Sequence, residues 1–165
     1  MRKICLPLKK EVIRGLRHGE EVLLSGPVLT ARDAAHKRLK ETLISKKKTP
    51  VALKGETIYY TGPTPARPGG VIGSCGPTTS SRMDDFVPVL LKNGLLGMIG
   101  KGERSIETAK AIKKAGAVYF TAPGGAGAYL SEKVKESRIA AYEDLGTEAI
   151  RRLIIKDFPV IVSIP

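Results

Sequence analysis

The sequence predicts an α/β domain with a substantially parallel sheet. Strand-like and helix-like patterns alternate through its second half, the signature of strand–helix–strand units. Helix stop signals at Gly94 and Gly116 each precede a new apolar run. The 165 residues are 42% hydrophobic, which suits a single domain over 1–165 with a sizeable core.

Residues 21–27 read as a strand. Thr30 then stands as an N-cap with Asp33 at N3, and the helix runs through Ala35, Leu39 and Leu43 into Lys46-Lys47-Lys48. Residues 51–53 and 57–60 are short strand candidates. A Pro/Gly-rich loop at 62–70 leads to a further strand at 71–74. The turn Gly76-Pro77-Thr78-Thr79 then opens a helix. Its apolar residues, Met83, Phe86, Val87, Leu90 and Leu91, fall on one helical face.

Residues 95–99 form the next strand. Ser105 caps a helix through Ile106, Ala109 and Ile112, closed by Gly116. Residues 118–121 are a strand ending in a glycine-rich loop at 123–128. Residues 139–142 are a short strand candidate. Residues 147–156 read as a helix with Ala149, Ile150, Leu153 and Ile154 inward, and 160–164 close the chain as a strand.

Net charge is +12, from 28 Lys and Arg against 16 Asp and Glu, so anionic partners are favoured. Trp is absent and aromatics are 5%, so no base-stacking platform is readable and a nucleic-acid role is the weakest class. No apolar run is long enough to span a bilayer. The N-terminal apolar stretch is too short for a signal peptide, and cytoplasm is the expected location. Two cysteines, Cys5 and Cys75, supply neither a disulfide framework nor metal-ligand spacing, so no metal site is expected on this chain.

The chemistry concentrates at element ends. Thr78, Thr79 and Arg82 place hydroxyls and a guanidinium at a helix N-terminus, where backbone N–H groups also point; an Arg fork suits a carboxylate. The same residues also fit a well-capped core helix, and alone they leave both readings open. Arg32 sits in a first helical turn, where a cation opposes the dipole unless it holds an anion. Lys101 lies between Gly100 and Gly102, which let the backbone approach a ligand. The glycines at 124, 125 and 127 match neither a Walker loop nor a dinucleotide fingerprint and read as a structural turn. His36 lies one turn beyond Arg32 and is a candidate support for it. Cys75 reads as a small buried hydrophobe.

Several blocks in order resemble the β part of the iron–sulfur-dependent class I fumarate hydratases and their L(+)-tartrate dehydratase relatives. They are Leu29-Thr30-Ala31-Arg32-Asp33-Ala34-Ala35-His36, Tyr60-Thr61-Gly62-Pro63, Gly76-Pro77-Thr78-Thr79 with Arg82-Met83-Asp84, and Lys101-Gly102. Residues 121–128, 145–150 and Asp157-Phe158-Pro159 complete the set. The resemblance implies a swivelling β/β/α domain and a hydro-lyase that interconverts fumarate and L-malate. It implies a hetero-oligomer in which a partner α subunit holds the [4Fe-4S] cluster. Arg32, Thr79, Arg82 and Lys101 match residues that grip a four-carbon dicarboxylate, and Thr78 matches the residue proposed to move the carbon-bound proton. A neutral threonine is a weak base, so that role requires a neighbouring charge.

Ser80-Ser81, Thr147 and Glu103 depart from the family pattern. The hydroxyls of Ser80 and Ser81 are candidates for accommodating the extra hydroxyl of tartrate. A tartrate dehydratase β subunit and a non-catalytic dicarboxylate-binding module are the alternative readings.

Overall fold

A computed structural model describes residues 1–165 as a mixed α/β domain on a seven-stranded sheet. In chain order the elements are β1 (Arg2–Cys5), α1 (Lys10–Arg14), β2 (Glu21–Thr30), α2 (Asp33–Ile44) and β3 (Thr57–Tyr59). A 3-10 helix at Ser80–Phe86 runs into α3 (Val87–Lys92), followed by β4 (Gly97–Gly100), α4 (Ile106–Ala115) and β5 (Val118–Thr121). Then come α5 (Gly127–Ser131), β6 (Val134–Ala141), a 3-10 helix at Glu143–Glu148, and β7 (Ile150–Ile164).

The sheet combines two kinds of pairing. β1, β2, β3, β4 and β5 are each parallel to the next. The connections from β2 to β5 pass through helices, as parallel crossovers require. β7 is antiparallel to β2, β5 and β6. Ile161 pairs with Glu21 of β2 on one edge and Thr121 of β5 on the other. Pairing therefore runs β2–β3–β4–β5–β7 and returns to β2 as a closed ring.

Alternation along the strands divides the core. Val22, Leu24, Tyr59, Ile99, Phe120, Leu153 and Val162 belong to one buried cluster fed by all five ring strands. Ile58, Tyr60, Met98 and Tyr119 point the other way, onto Ala35 and Leu39 of α2, Val87 and Leu90 of α3, and Ile112 of α4.

Several expectations stand. Val118–Thr121 is a strand as read. Ser105 Oγ accepts from the Thr108 N–H, and Gly116 ends α4 in the left-handed region at φ 69°.

Others are corrected. Residues 147–156 are not a helix: Ile150 begins a 15-residue strand whose buried residues include Leu153, Ile155, Phe158, Val160 and Val162. The spacing of Ala149, Ile150, Leu153 and Ile154 fits a helix locally, but β2 and β6 offer a ladder on both edges, and pairing prevails. Residues 51–53 form no strand; Val51 and Leu53 are buried loop residues beneath the helices. Residues 71–74 form none either. Their only pairing is with Thr64, whose N–H donates to Ser74 O and whose carbonyl accepts from Gly73 N–H. Thr30 is the last residue of β2 rather than an N-cap, and Arg32 occupies that position. The Thr30 hydroxyl accepts from the Arg151 N–H at 3.0 Å and donates to the Ala149 carbonyl at 3.3 Å, tying β2 to the start of β7.

Candidate active site

The parallel strands set the location. Ligands of α/β sheets bind beyond the carboxyl ends of the strands. Arg32 follows the end of β2, Thr61 and Gly62 follow β3, Lys101 follows β4, and the glycine-rich loop follows β5. The Gly-Pro-Thr-Thr turn is laid into this row. Thr78 N–H donates to Tyr60 O at 2.7 Å, Lys101 N–H to Thr78 O at 3.2 Å, and Ser80 N–H to Lys101 O at 3.0 Å. Thr79 and Lys101 form a parallel bridge, so the two segments run side by side past the end of β4.

These bonds change the sequence-based picture of the turn. The N–H groups of Thr78 and Ser80 are occupied by backbone carbonyls, and the first helical stretch is a short 3-10 segment. The charge here sits on side chains. Arg82 donates from Nε and Nη2 to the two carboxylate oxygens of Asp33, both at 3.0 Å, and from Nη2 to Thr78 Oγ1 at 2.8 Å. Bonding to Arg82, reinforced by the charges of Arg82 and Arg32, holds the Asp33 carboxyl down at about 2.

Arg32 Nε lies 3.5 Å from Asp33 and 3.8 Å from Glu148, and is buried without a hydrogen-bond partner. Its side chain crosses Gly62: a Cβ there would lie 2.9 Å from Arg32 Cδ and 3.1 Å from the Thr147 carbonyl. The guanidinium of Arg32, the ammonium of Lys101 and the hydroxyl of Thr79 donate no hydrogen bond within the chain. Thus all five sequence-selected residues share one strand-end patch. Thr78 and Arg82 bond directly, Thr79 and Lys101 are paired through backbone, and Arg32 joins through Asp33.

His36 supports this patch from below. It is wholly buried, its ring 5.3 Å from Tyr60 and 5.6 Å from Phe86. Its Nδ1 bonds the Arg32 carbonyl at 2.8 Å, which requires Nδ1 to carry the proton. Desolvation pushes its pKa down to about 4, so it is neutral.

Sequence reasoning missed several groups. Asp33 was legible only as a helix-start acid, yet it organises Arg82. Glu148 accepts from the Ala34 N–H at 3.1 Å and stands beside Arg32. Arg104 was invisible: its side chain is fully buried, bonded to Asp84 at 2.7 Å and stacked near Tyr60 and Tyr119. Ser80 is corrected. It is 0% exposed, packed on Gly100 and bonded to Tyr119, so it cannot meet a substrate hydroxyl. Gly100 is thus explained by Ser80 and Tyr60, which a Cβ would strike, rather than by ligand approach. The glycine-rich loop is structural as read: Gly127 packs on Ser74 and Gly76 and accepts from the Cys75 N–H. Cys75 is 1% exposed, and burial pushes its thiol up to about 11.

Fold and patch together define an α/β domain that presents arginine, lysine and threonine at its strand carboxyl ends. The chain belongs to the fumarase C-terminus family, whose pattern it matches over residues 2–165. It is 38% identical over 143 residues to the anaerobic class I fumarate hydratase of Escherichia coli K12, covering 86% of this chain and 26% of that enzyme. Against fumarate hydratase 1, mitochondrial, of Leishmania major it is 37% identical, again covering 86% of this chain and 26% of the relative. The chain therefore spans about a quarter of the length of these fumarate hydratases. A Methanocaldococcus jannaschii protein provisionally named L(+)-tartrate dehydratase subunit beta is 36% identical over 162 residues, covering 94% of this chain and 83% of that protein.

Proposed function

We propose that this chain is the β subunit of an iron–sulfur-dependent hydro-lyase that reversibly hydrates fumarate to L-malate in the cytoplasm, swivelling against a separate α subunit. The observation that carries the reading is the Arg82 fork, which grips Asp33 and Thr78 together beside Lys101 and Arg32. A β-subunit reading is supported by the name of the relative of which the chain covers 83%. No helix of this chain is long and apolar enough to cross a membrane.

The residues of this chain do not fit a [4Fe-4S] cluster. No three His, Cys, Asp or Glu side chains converge, and of the two cysteines one is exposed and one buried. In this reading the cluster is held by the α subunit.

The contribution of this chain follows from its donors. Arg32, Thr79 and Lys101 have donors free of protein partners and take the substrate carboxylates. Removing a proton from the carbon beside a carboxylate builds negative charge on that carboxylate, which fixed guanidinium and ammonium groups stabilise. Thr78 Oγ1 accepts from Arg82, so its own proton is left to point outward and an alkoxide formed there is stabilised by the guanidinium. This supplies the neighbouring charge that a threonine needs to take or return the carbon-bound proton.

Tartrate is the second reading, favoured by the name of the length-matched relative. Phe158, within the Asp157-Phe158-Pro159 block of the family resemblance, packs on Tyr59 and pairs with Leu24, mid-strand and away from the strand ends. The 145–150 block does reach the patch, through Thr147 and Glu148.

The test is co-expression with a cluster-bearing α chain, anaerobic purification, and turnover assays on fumarate and L(+)-tartrate. Fumarate hydration that falls at least about 100-fold in Thr78→Val and Arg82→Ala, with the complex intact, is the expected result. Tartrate turnover alone establishes the second reading. Dicarboxylate binding without turnover of either substrate establishes the binding module.

A further inference from the structure

Two of the proposed substrate-binding segments, 78–80 and 101–102, come from distant parts of the chain. Besides the two backbone bonds that join them, Lys101 N–H to Thr78 O and Ser80 N–H to Lys101 O, one side chain reaches both. The Tyr119 hydroxyl lies 2.7 Å from Ser80 Oγ and 2.7 Å from the Gly102 carbonyl. A carbonyl can only accept, so the phenol donates to Gly102 and accepts from Ser80. Each contact falls one residue beyond a candidate ligand group: Ser80 follows Thr79, and Gly102 follows Lys101.

The bridge is rigid on the Tyr119 side. The ring is 0% exposed in the middle of β5, and the Arg104 guanidinium sits 4.8 Å from its centroid. Arg104 in turn holds Asp84, on the same 3-10 helix as Arg82. On the Lys101 side, the Lys101 N–H and carbonyl bond the Thr78–Ser80 turn. Gly102 stands in the left-handed region at φ 80°, and Lys101 and Gly102 are exposed.

We propose that Tyr119 is a positioning residue whose hydroxyl sets the separation between the Thr78–Thr79 turn and Lys101. The inference rests on the reading of this patch as a dicarboxylate site. Thr78 has two anchors independent of Tyr119, the Tyr60 carbonyl and Arg82. Lys101 depends on the bonds the clamp stabilises. Loss of the hydroxyl therefore weakens substrate binding more than the proton-transfer step.

The test is Tyr119→Phe in the assembled α/β enzyme. This variant keeps the ring and its stacking on Arg104. The expected result is a KM for fumarate raised about tenfold, with kcat within about threefold of wild type. Hydrogen exchange on the same complex reports the clamp without turnover: the Ser80 and Lys101 amides lose protection in the variant. Ser80→Ala with Tyr119→Phe removes the hydroxyl that Tyr119→Phe leaves buried and unpaired, so Tm recovers while KM stays raised. Ser80→Ala alone keeps the Gly102 bond and raises KM by no more than about threefold. Recovery of KM together with Tm in the double variant, or wild-type KM and protection in Tyr119→Phe, overturns the proposal. A wild-type complex inactive on fumarate and tartrate overturns the functional reading instead, and the clamp then stands or falls on the exchange data.

Discussion

Arg82 meets Asp33 side-on, Nε and Nη2 each 3.0 Å from a different carboxylate oxygen, and the same Nη2 reaches Thr78. The pair links the 3-10 helix after the Gly-Pro turn to the first residue of α2. Because the Asp33 carboxyl sits at about 2 in the fold, the stability it contributes is present above its unfolded value near 3.8 and is lost as pH falls toward 2. Its side chain is 42% exposed, so solvent screening limits the effect to about 0.5–1 kcal/mol. Asp33→Asn is expected to lower stability by that amount at pH 7 and to flatten the slope between about pH 4 and 2. Urea titrations across this range check it; superimposable curves for the two proteins refute it.

His36 acts in a different window. Burial holds it at about 4 against 6.5 when unfolded, so the neutral ring favours the fold above pH 6.5 and that stability drains away as pH falls toward 4. The loss is on the order of 2–3 kcal/mol. His36→Asn, which keeps a donor but cannot titrate, is expected to abolish this slope. An NMR titration of the ring giving a pKa near 6.5 contradicts the prediction.

Gly62 is expected to be intolerant for the sake of Arg32. A Cβ there would lie 2.9 Å from Arg32 Cδ, on a flexible side chain, and 3.1 Å from the Thr147 carbonyl, a tight but milder backbone contact. In the assembled enzyme, Gly62→Ala should raise KM several-fold while changing stability by no more than about 1 kcal/mol, since the closest clash falls on a movable side chain and the carbonyl contact needs a shift of only a few tenths of an ångström. Assay and melting curve together decide it, and a large drop in Tm with unchanged KM speaks against it.

Arg104→Met removes the partner of Asp84 and the cation between Tyr60 and Tyr119. Breaking a buried pair from one side is expected to cost about 3 kcal/mol. Replacing both partners, with Asp84→Asn added, should recover part of that loss. Chemical denaturation of both variants tests the coupling.

Local signals in the chain carried the α4 boundaries and β5, because Ser105, Gly116 and the 118–121 run decide their own conformation. The patch was legible as well, since the candidate residues stand where elements end. Hidden were the features that depend on partners far along the chain. Residues 150–156 satisfy a helical spacing until β2 and β6 are available to pair. Asp33 and Tyr119 look like a helix-start acid and a strand aromatic until residues 49 and 39 positions away, Arg82 and Ser80, are folded against them.

Ring closure by β7 also governs how the domain is made. Arg151 bonds Thr30 across 121 residues of sequence, so β2 must wait for most of the chain before its second edge is covered. Until then the open edges of β2 and β5 expose unpaired backbone, which templates wrong pairings between molecules. Such non-local closure slows folding, because the loop entropy is lost before the ladder forms. A ribosome making this chain holds an open, adhesive sheet until β7 emerges, so yield in the cell should depend on chaperone supply and growth temperature more than on the stability of the finished fold.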